Sequence, residues 1–189
     1  MRRLSTFAVA LVLGVMACSS NPESSRKEKP TKQESPPPPC HPGCFPAGTV
    51  IATPEGPRAI ETILPGDLVT LIGADGIATS GPVDSSFQTC NRLVEVRTES
   101  GYLLTTETQP LCLRDGGFRR AGELGEGEVI WRWEEGEHRS ARVLGVVATG
   151  REAPVFNLVV GESAVFVADG FLARGKPPPE AKDGAGGTE

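Results

Sequence analysis

Between residues 44 and 176 this chain never spaces its apolar residues for an amphipathic helix. Short β-branched runs are instead closed, one after another, by Gly, Pro, Asp or Glu-Gly turns. Residues 49–53 stop at Pro54-Glu55-Gly56, and residues 68–72 and 77–79 flank Ala74-Asp75-Gly76 as a hairpin. Val94 and Val96 alternate with Glu95 and Arg97, and Glu99-Ser100-Gly101 then turns into residues 102–106. Trp131 and Trp133 flank Arg132 on one face before Glu135-Gly136, and residues 155–160 and 165–167 complete the series, which turns at Asp169-Gly170. With 23 Gly and 17 Pro to supply turns, the pattern predicts an all-β domain of short strands in a sandwich-like or barrel-like arrangement.

A short repeat adds symmetry to that expectation. Gly56-Pro57-Arg58-Ala59-Ile60-Glu61-Thr62-Ile63-Leu64-Pro65-Gly66-Asp67-Leu68-Val69 is echoed by Gly117-Phe118-Arg119-Arg120-Ala121-Gly122-Glu123-Leu124-Gly125-Glu126-Gly127-Glu128-Val129-Ile130. Each copy ends in Gly, an acid and two apolar residues entering a strand. The glycine permits a positive φ, and the acid can accept backbone N–H bonds at the turn. Two β subdomains related by a pseudo-two-fold axis would produce such a pair. A coincidence of turn chemistry is the plainer alternative.

The ends of the chain differ in kind from its middle. Arg2 and Arg3 precede an apolar stretch over residues 7–16 that is too short for a comfortable membrane span. It runs into Val15-Met16-Ala17-Cys18, a small residue followed by cysteine. Residues 1–17 therefore read as a secretory signal. The Ala17-Cys18 junction resembles the lipobox of bacterial lipoproteins, which implies lipidation of Cys18 and a membrane as partner. Ser-Ser-Asn after the cysteine resembles the outer-membrane sorting pattern. Residues 18–43, charged and proline-rich around Pro36, Pro37, Pro38 and Pro39, have little to bury and are expected to be a disordered tether. The tail over residues 177–189 reads the same way. Loss of Arg2 and Arg3 with the signal takes Lys and Arg from 19 to 17, against 24 acidic residues. An acidic domain without a basic cluster is a poor nucleic-acid binder. No protein partner can be read from the sequence.

One stretch stands at the boundary between tether and domain: Gly43-Cys44-Phe45-Pro46-Ala47-Gly48-Thr49-Val50-Ile51. A thiol at position 44 can attack the preceding carbonyl through a five-membered ring, and Gly43 leaves that carbonyl sterically open. The stretch, followed by Ile60-Glu61 and Gly66-Asp67-Leu68-Val69, resembles the opening block of the Hint (hedgehog/intein) family. Leu104-Thr105-Thr106-Glu107-Thr108-Gln109-Pro110-Leu111 resembles that family's Thr-x-x-His-Pro block. Val155-Phe156-Asn157-Leu158-Val159-Val160 and Val165-Phe166-Val167-Ala168-Asp169-Gly170-Phe171-Leu172-Ala173-Arg174-Gly175-Lys176 resemble its last two blocks. The four blocks occur in order and cover residues 44–176. The resemblance implies a pseudo-two-fold symmetric, horseshoe-like all-β Hint fold in a protein that cuts its own backbone.

It also implies roles for individual residues. Cys44 Sγ would attack the Gly43 carbonyl at the scissile Gly43-Cys44 bond and turn the peptide into a thioester, an N–S acyl shift that needs no cofactor. Thr106 would orient the scissile peptide. Gln109 occupies the histidine position of the block, and an amide cannot deliver a proton near neutral pH. Loss of a general acid costs about 10²–10⁴ in rate. Arg174 and Gly175 stand where inteins carry His-Asn. Glycine has no side chain to cyclise and no Cys, Ser or Thr occupies position 176, so splicing is excluded. Asn157 is neutral where an acid or Asn is frequent. Two classes remain: residual self-cleavage at Gly43-Cys44, or an inactive Hint scaffold that serves as a surface interaction module.

Cysteine arithmetic competes with both. Once Cys18 is set aside, Cys40, Cys44, Cys90 and Cys112 form an even set in an exported chain, for which two disulfides with three alternative pairings are the default. A bond from Cys44 to Cys40 or Cys90 would remove the nucleophile. Cys40-His41-Pro42-Gly43-Cys44 is a weak zinc pattern without a second tight pair, and no metal site is expected. His138 reads as a solvated hairpin residue, and Trp131 and Trp133 as packing residues.

Overall fold

The computed structural model describes residues 43–177. Cys18, Cys40 and His41 lie outside the described residues, as do the signal, most of the tether and all but the first residue of the tail. Among the described residues, thirteen strands join into one antiparallel network, and the only helical turns are two short 3-10 turns, Ile60–Thr62 and Ala121–Glu123. Among the described residues, turn residues close most of the apolar runs before a helix could nucleate.

The repeat has a structural counterpart at every step. Strands Arg58–Ala59 and Phe118–Arg120 each lead into a 3-10 turn, then a buried apolar residue, Ile63 or Leu124. The turns that follow are closed by the acids: Leu64 N–H donates to Asp67 Oδ2 at 2.9 Å and Gly125 N–H to Glu128 Oε2 at 2.6 Å. Arg58 pairs with Asp67 at 2.9 Å and Arg119 with Glu128 at 3.0 Å. Gly66, at φ +92°, donates to the Val83 carbonyl, and Gly127, at φ +88°, to that of Val143, both at 2.8 Å. The turn carbonyl of each copy then accepts from the same distant residue, Asp67 O from Val83 N–H and Glu128 O from Val143 N–H. Two equivalent subdomains thus underlie the sheet.

Strand length departs from the expectation of uniformly short runs. Ser85–Thr98 spans 14 residues and Glu137–Val159 spans 23, and they pair along most of their length. Register shifts between Val143 and Gly145 and between Ala148 and Glu152 break the alternation that would have marked a long strand. Gly145 and Gly150 adopt positive φ there, +151° and +68°. The half of the ribbon beyond the second shift pairs residues 85–92 with residues 152–159, where polar side chains dilute the apolar signal.

The main core gathers side chains from both subdomains, among them Ile51, Ile60, Leu111, Ile130 and Phe171. Phe45 is wholly buried and meets Phe166 edge-on with ring centroids 6.0 Å apart. Burying a side chain of that size contributes roughly 1.5–3 kcal/mol. Phe45 lies next to Cys44 in sequence, so the core itself fixes the residue beside the candidate scissile bond.

Candidate functional site

Strand Phe45–Pro46 pairs with the end of Glu137–Val159, Phe45 opposite Phe156. This register delivers Gly43 and Cys44 between the Asn157 side chain and the loop after strand Gly101–Thr105. The Gly43 carbonyl and the Cys44 N–H and carbonyl each have a buried partner. Asn157 Nδ2 donates to the Gly43 carbonyl oxygen. Cys44 N–H donates to Thr106 Oγ1 at 2.9 Å. The Cys44 carbonyl accepts from Thr105 Oγ1 at 2.8 Å and from Thr106 N–H at 3.0 Å. Asn157 is itself locked, since its Oδ1 accepts from Leu158 N–H at 2.6 Å.

Gly43 is the residue here that sterics demand. A Cβ at this position would lie 2.0 Å from Gln109 Cα and 2.6 Å from Gln109 Oε1. Gln109 is fully buried, and its Nε2 donates to the Pro110 carbonyl at 3.1 Å and the Arg174 carbonyl at 3.0 Å. Two carbonyl partners fix the amide orientation. Its Oε1 then has no hydrogen-bond partner. Gln109 therefore presents an acceptor toward Gly43 where a proton donor would serve the leaving amine. It also joins the beginning of the domain to its end, because it touches both Gly43 and Arg174.

The Cys44 side chain enters a small apolar cluster with Leu93 and Val155, against which Phe87 and Ala153 pack. Its solvent exposure is 0%, so the thiol is cut off from bulk water. Burial pushes its pKa up to about 11, and the positive charge of Lys176 works in the opposite direction. Lys176 is held by its own backbone N–H, which donates to the Leu158 carbonyl at 3.1 Å, and by a parallel bridge to Val159. Its ammonium sits 4.1 Å from the Phe87 ring centroid.

The cysteines divide differently from the expected pairing. Cys44 and Cys112 are thiols, so neither takes part in a disulfide. Packing accounts for this: Cys112 faces Ile72, Val167 and Leu172 in a separate cluster, away from the Cys44 cluster. Burial pushes Cys112 up to about 12, with Arg174 opposing. Cys90, exposed and opposite Pro154, is disulfide-bonded. Among the described residues no group of three His, Cys, Asp or Glu converges as metal ligands.

His138, expected as a solvated hairpin residue, is half-buried. Its ring lies 5.1 Å from those of both Trp131 and Trp133, because cross-strand pairing sets it opposite Trp133. His138 and Trp131 line a cleft of about 590 Å³ with Cys112 and Phe118, away from the Cys44 cluster. Asn157, in sequence only a neutral residue of its block, and Lys176, in sequence only a residue without a hydroxyl or thiol, gain their place here from contacts between distant strands.

A search of the solved structures places this architecture. An Ssp DnaB mini-intein variant superposes with a TM-score of 0.67 at 18% identity, covering 74% of this chain and 97% of that one. This is a Hint-type fold. A DnaB intein from Synechocystis sp. matches at a TM-score of 0.65 and 19% identity, covering 71% of this chain and 99% of that chain. A bacterial intein-like domain from Clostridium thermocellum matches at 0.59 and 23%, covering 70% and 98%. No family model and no curated protein matches the sequence. Within the Hint fold, the Gly43-Cys44 junction lies where the buried donors and acceptors described above converge.

Proposed function

We propose that this Hint domain breaks its own Gly43-Cys44 peptide bond by an N–S acyl shift, on a protein anchored to a membrane by lipid at Cys18. The observation that carries the reading is the grip on both sides of that bond: Asn157 Nδ2 on the carbonyl oxygen and Thr106 Oγ1 on the amide N–H. A donor already aimed at the oxygen that becomes negative is the arrangement that stabilises a tetrahedral intermediate, and such a donor contributes about 10²–10³ in rate.

The reaction is an isomerisation. Cys44 Sγ bonds to the Gly43 carbonyl carbon, the carbon–nitrogen bond breaks, and the proton given up by the thiol ends on the new Cys44 amine. No co-reactant enters. Two features make the step slow. With a pKa of about 11, roughly one thiol in ten thousand is ionised at pH 7. Gln109 offers the leaving amine an acceptor rather than an acid, which leaves the Thr106 hydroxyl as the nearest proton relay. An external thiol then opens the thioester and, once the Cys90 disulfide is also reduced, frees the β domain with Cys44 at its new N-terminus. Gly175 has no side chain to cyclise, so the downstream end stays attached and nothing is spliced.

The membrane anchor rests on Arg2 and Arg3, the apolar run over residues 7–16, and Ala17-Cys18. Acyl chains at about 0.8 kcal/mol per buried CH₂ anchor stably when two or more are present. Radiolabelled palmitate should enter the wild-type protein and not C18A. An inactive scaffold is the second reading, favoured by the missing acid at Gln109. Incubation of the purified chain with dithiothreitol decides between the two. Self-cleavage gives a new N-terminus at Cys44 that is absent from C44A, whereas a scaffold keeps its full-length mass.

A further inference from the structure

A thioester at Cys44 needs an acceptor, and the position at which splicing relatives of this fold are expected to carry Cys, Ser or Thr here holds a primary amine, Lys176. Three contacts, two of them through Phe87, place that amine on the side of the ribbon that carries the Gly43-Cys44 junction. First, Asn157 and Phe87 are direct cross-strand partners, so their side chains leave the ribbon on the same face. From that face Asn157 reaches the Gly43 carbonyl, and the Phe87 ring carries the Lys176 ammonium. Second, Phe87 packs on the cluster that contains Cys44, so one aromatic ring joins the Lys176 ammonium to that cluster. Third, Gln109 contacts Gly43 on one side and donates to the Arg174 carbonyl on the other, holding the donor segment beside the segment that ends in Lys176.

We infer that Lys176 is the acyl acceptor of this domain: its Nζ attacks the Gly43 thioester and moves the N-terminal segment onto the lysine side chain. The inference rests on the thioester proposed above and names what resolves it. The Nζ lone pair forms a bond to the Gly43 carbonyl carbon and the carbon–sulfur bond breaks. On its way to the isopeptide N–H the ammonium sheds two protons: the Cys44 thiolate takes up one and the new Cys44 α-amine the other. Net, the Gly43-Cys44 peptide becomes a Gly43-Lys176 isopeptide and Cys44 gains a free α-amine, with no change of mass. The missing side chain at Gly175, where a Cβ would lie 3.1 Å from the Ala164 carbonyl oxygen, keeps the backbone beside the lysine tight against the sheet. The field of the ammonium also favours the thiolate that begins the sequence. Such a domain would not be released. It would exchange its attachment point, so that the lipid tether enters at Lys176 rather than at Cys44.

The test uses the full chain in detergent, incubated at mildly alkaline pH without added thiol, then reduced and digested with trypsin. The expected product is a branched peptide joining residues 33–43 to residues 175–182 through the lysine side chain. Alongside it, an N-terminal-cysteine reagent such as 2-cyanobenzothiazole labels Cys44 in a chain of otherwise unchanged mass. K176R should lose the branched peptide while its dithiothreitol-released fragment rises, since nothing drains the thioester. Thiol-dependent cleavage of the wild type without any branched peptide would overturn Lys176 as acceptor and leave self-cleavage standing. If neither protein yields a Cys44 N-terminus with or without thiol, the thioester itself is refuted, and the transfer with it.

Discussion

Asn157 is the residue whose removal reports most about the chemistry. Its amide does two things at once: Nδ2 donates to the Gly43 carbonyl, and Oδ1 accepts from Leu158 N–H at 2.6 Å. At 1% exposure no water stands in for either bond. N157A therefore removes the one side-chain donor on the scissile carbonyl and orphans a buried backbone N–H. The first effect should slow thioester formation about 10²–10³-fold, or about 2.7–4 kcal/mol of barrier. The second should lower stability by about 1–3 kcal/mol. The two separate experimentally. The rate is read from fragment accumulation in dithiothreitol, fitted to a single exponential, and stability from urea unfolding of the C44A background, which cannot react. N157Q, which keeps an amide on a longer stem, should recover part of the stability and little of the rate. If folded N157A cleaves within about threefold of wild type, Asn157 does not stabilise the developing oxyanion and the reasoning fails.

Other outcomes follow from the same geometry. G43A forces a Cβ to within 2.0 Å of Gln109 Cα, so the junction must shift; overpacking of this kind costs about 1–3 kcal/mol, read as a lower urea midpoint, and cleavage should stop as the carbonyl leaves Asn157. Because the Cys44 pKa lies near 11, the thiolate fraction grows tenfold per unit below it, so cleavage should accelerate about tenfold per pH unit from 7 to 10 and level off above 11. A flat profile over that range would contradict attack by this buried thiol. Q109H puts a titratable donor against Gly43 and should raise the cleavage rate by about 10²–10⁴, measured near pH 7.

Much of this fold was legible in residues whose role is local. Gly66-Asp67 and Gly127-Glu128 announce a turn by chemistry that acts within four residues, so the repeat survives as sequence. Cys44 and Thr106 could be singled out because a thiol after glycine and a threonine block are specific in type, and the structure sets them in direct contact. What sequence could not display depends on distance. The strand Glu137–Val159 hides its length behind two bulges. Asn157 matters through a single hydrogen bond to a residue 114 positions away, which no charge pattern reveals. Lys176 matters through a ring on another strand. His138 follows the exposed Glu135 and Glu137 in sequence, and only the cross-strand register shows that its half-buried ring meets Trp131 and Trp133.

The central claim is that the Gly43 carbonyl passes from nitrogen to sulfur. Hydroxylamine tests it most directly, because it captures a thioester and leaves an ordinary peptide bond intact under mild conditions. After reduction of the Cys90 disulfide, the account predicts an N-terminal fragment that ends in a Gly43 hydroxamate, together with a domain that begins at Cys44, and neither from C44A. A wild-type chain that keeps its full mass after prolonged hydroxylamine treatment, while folded, would contradict it.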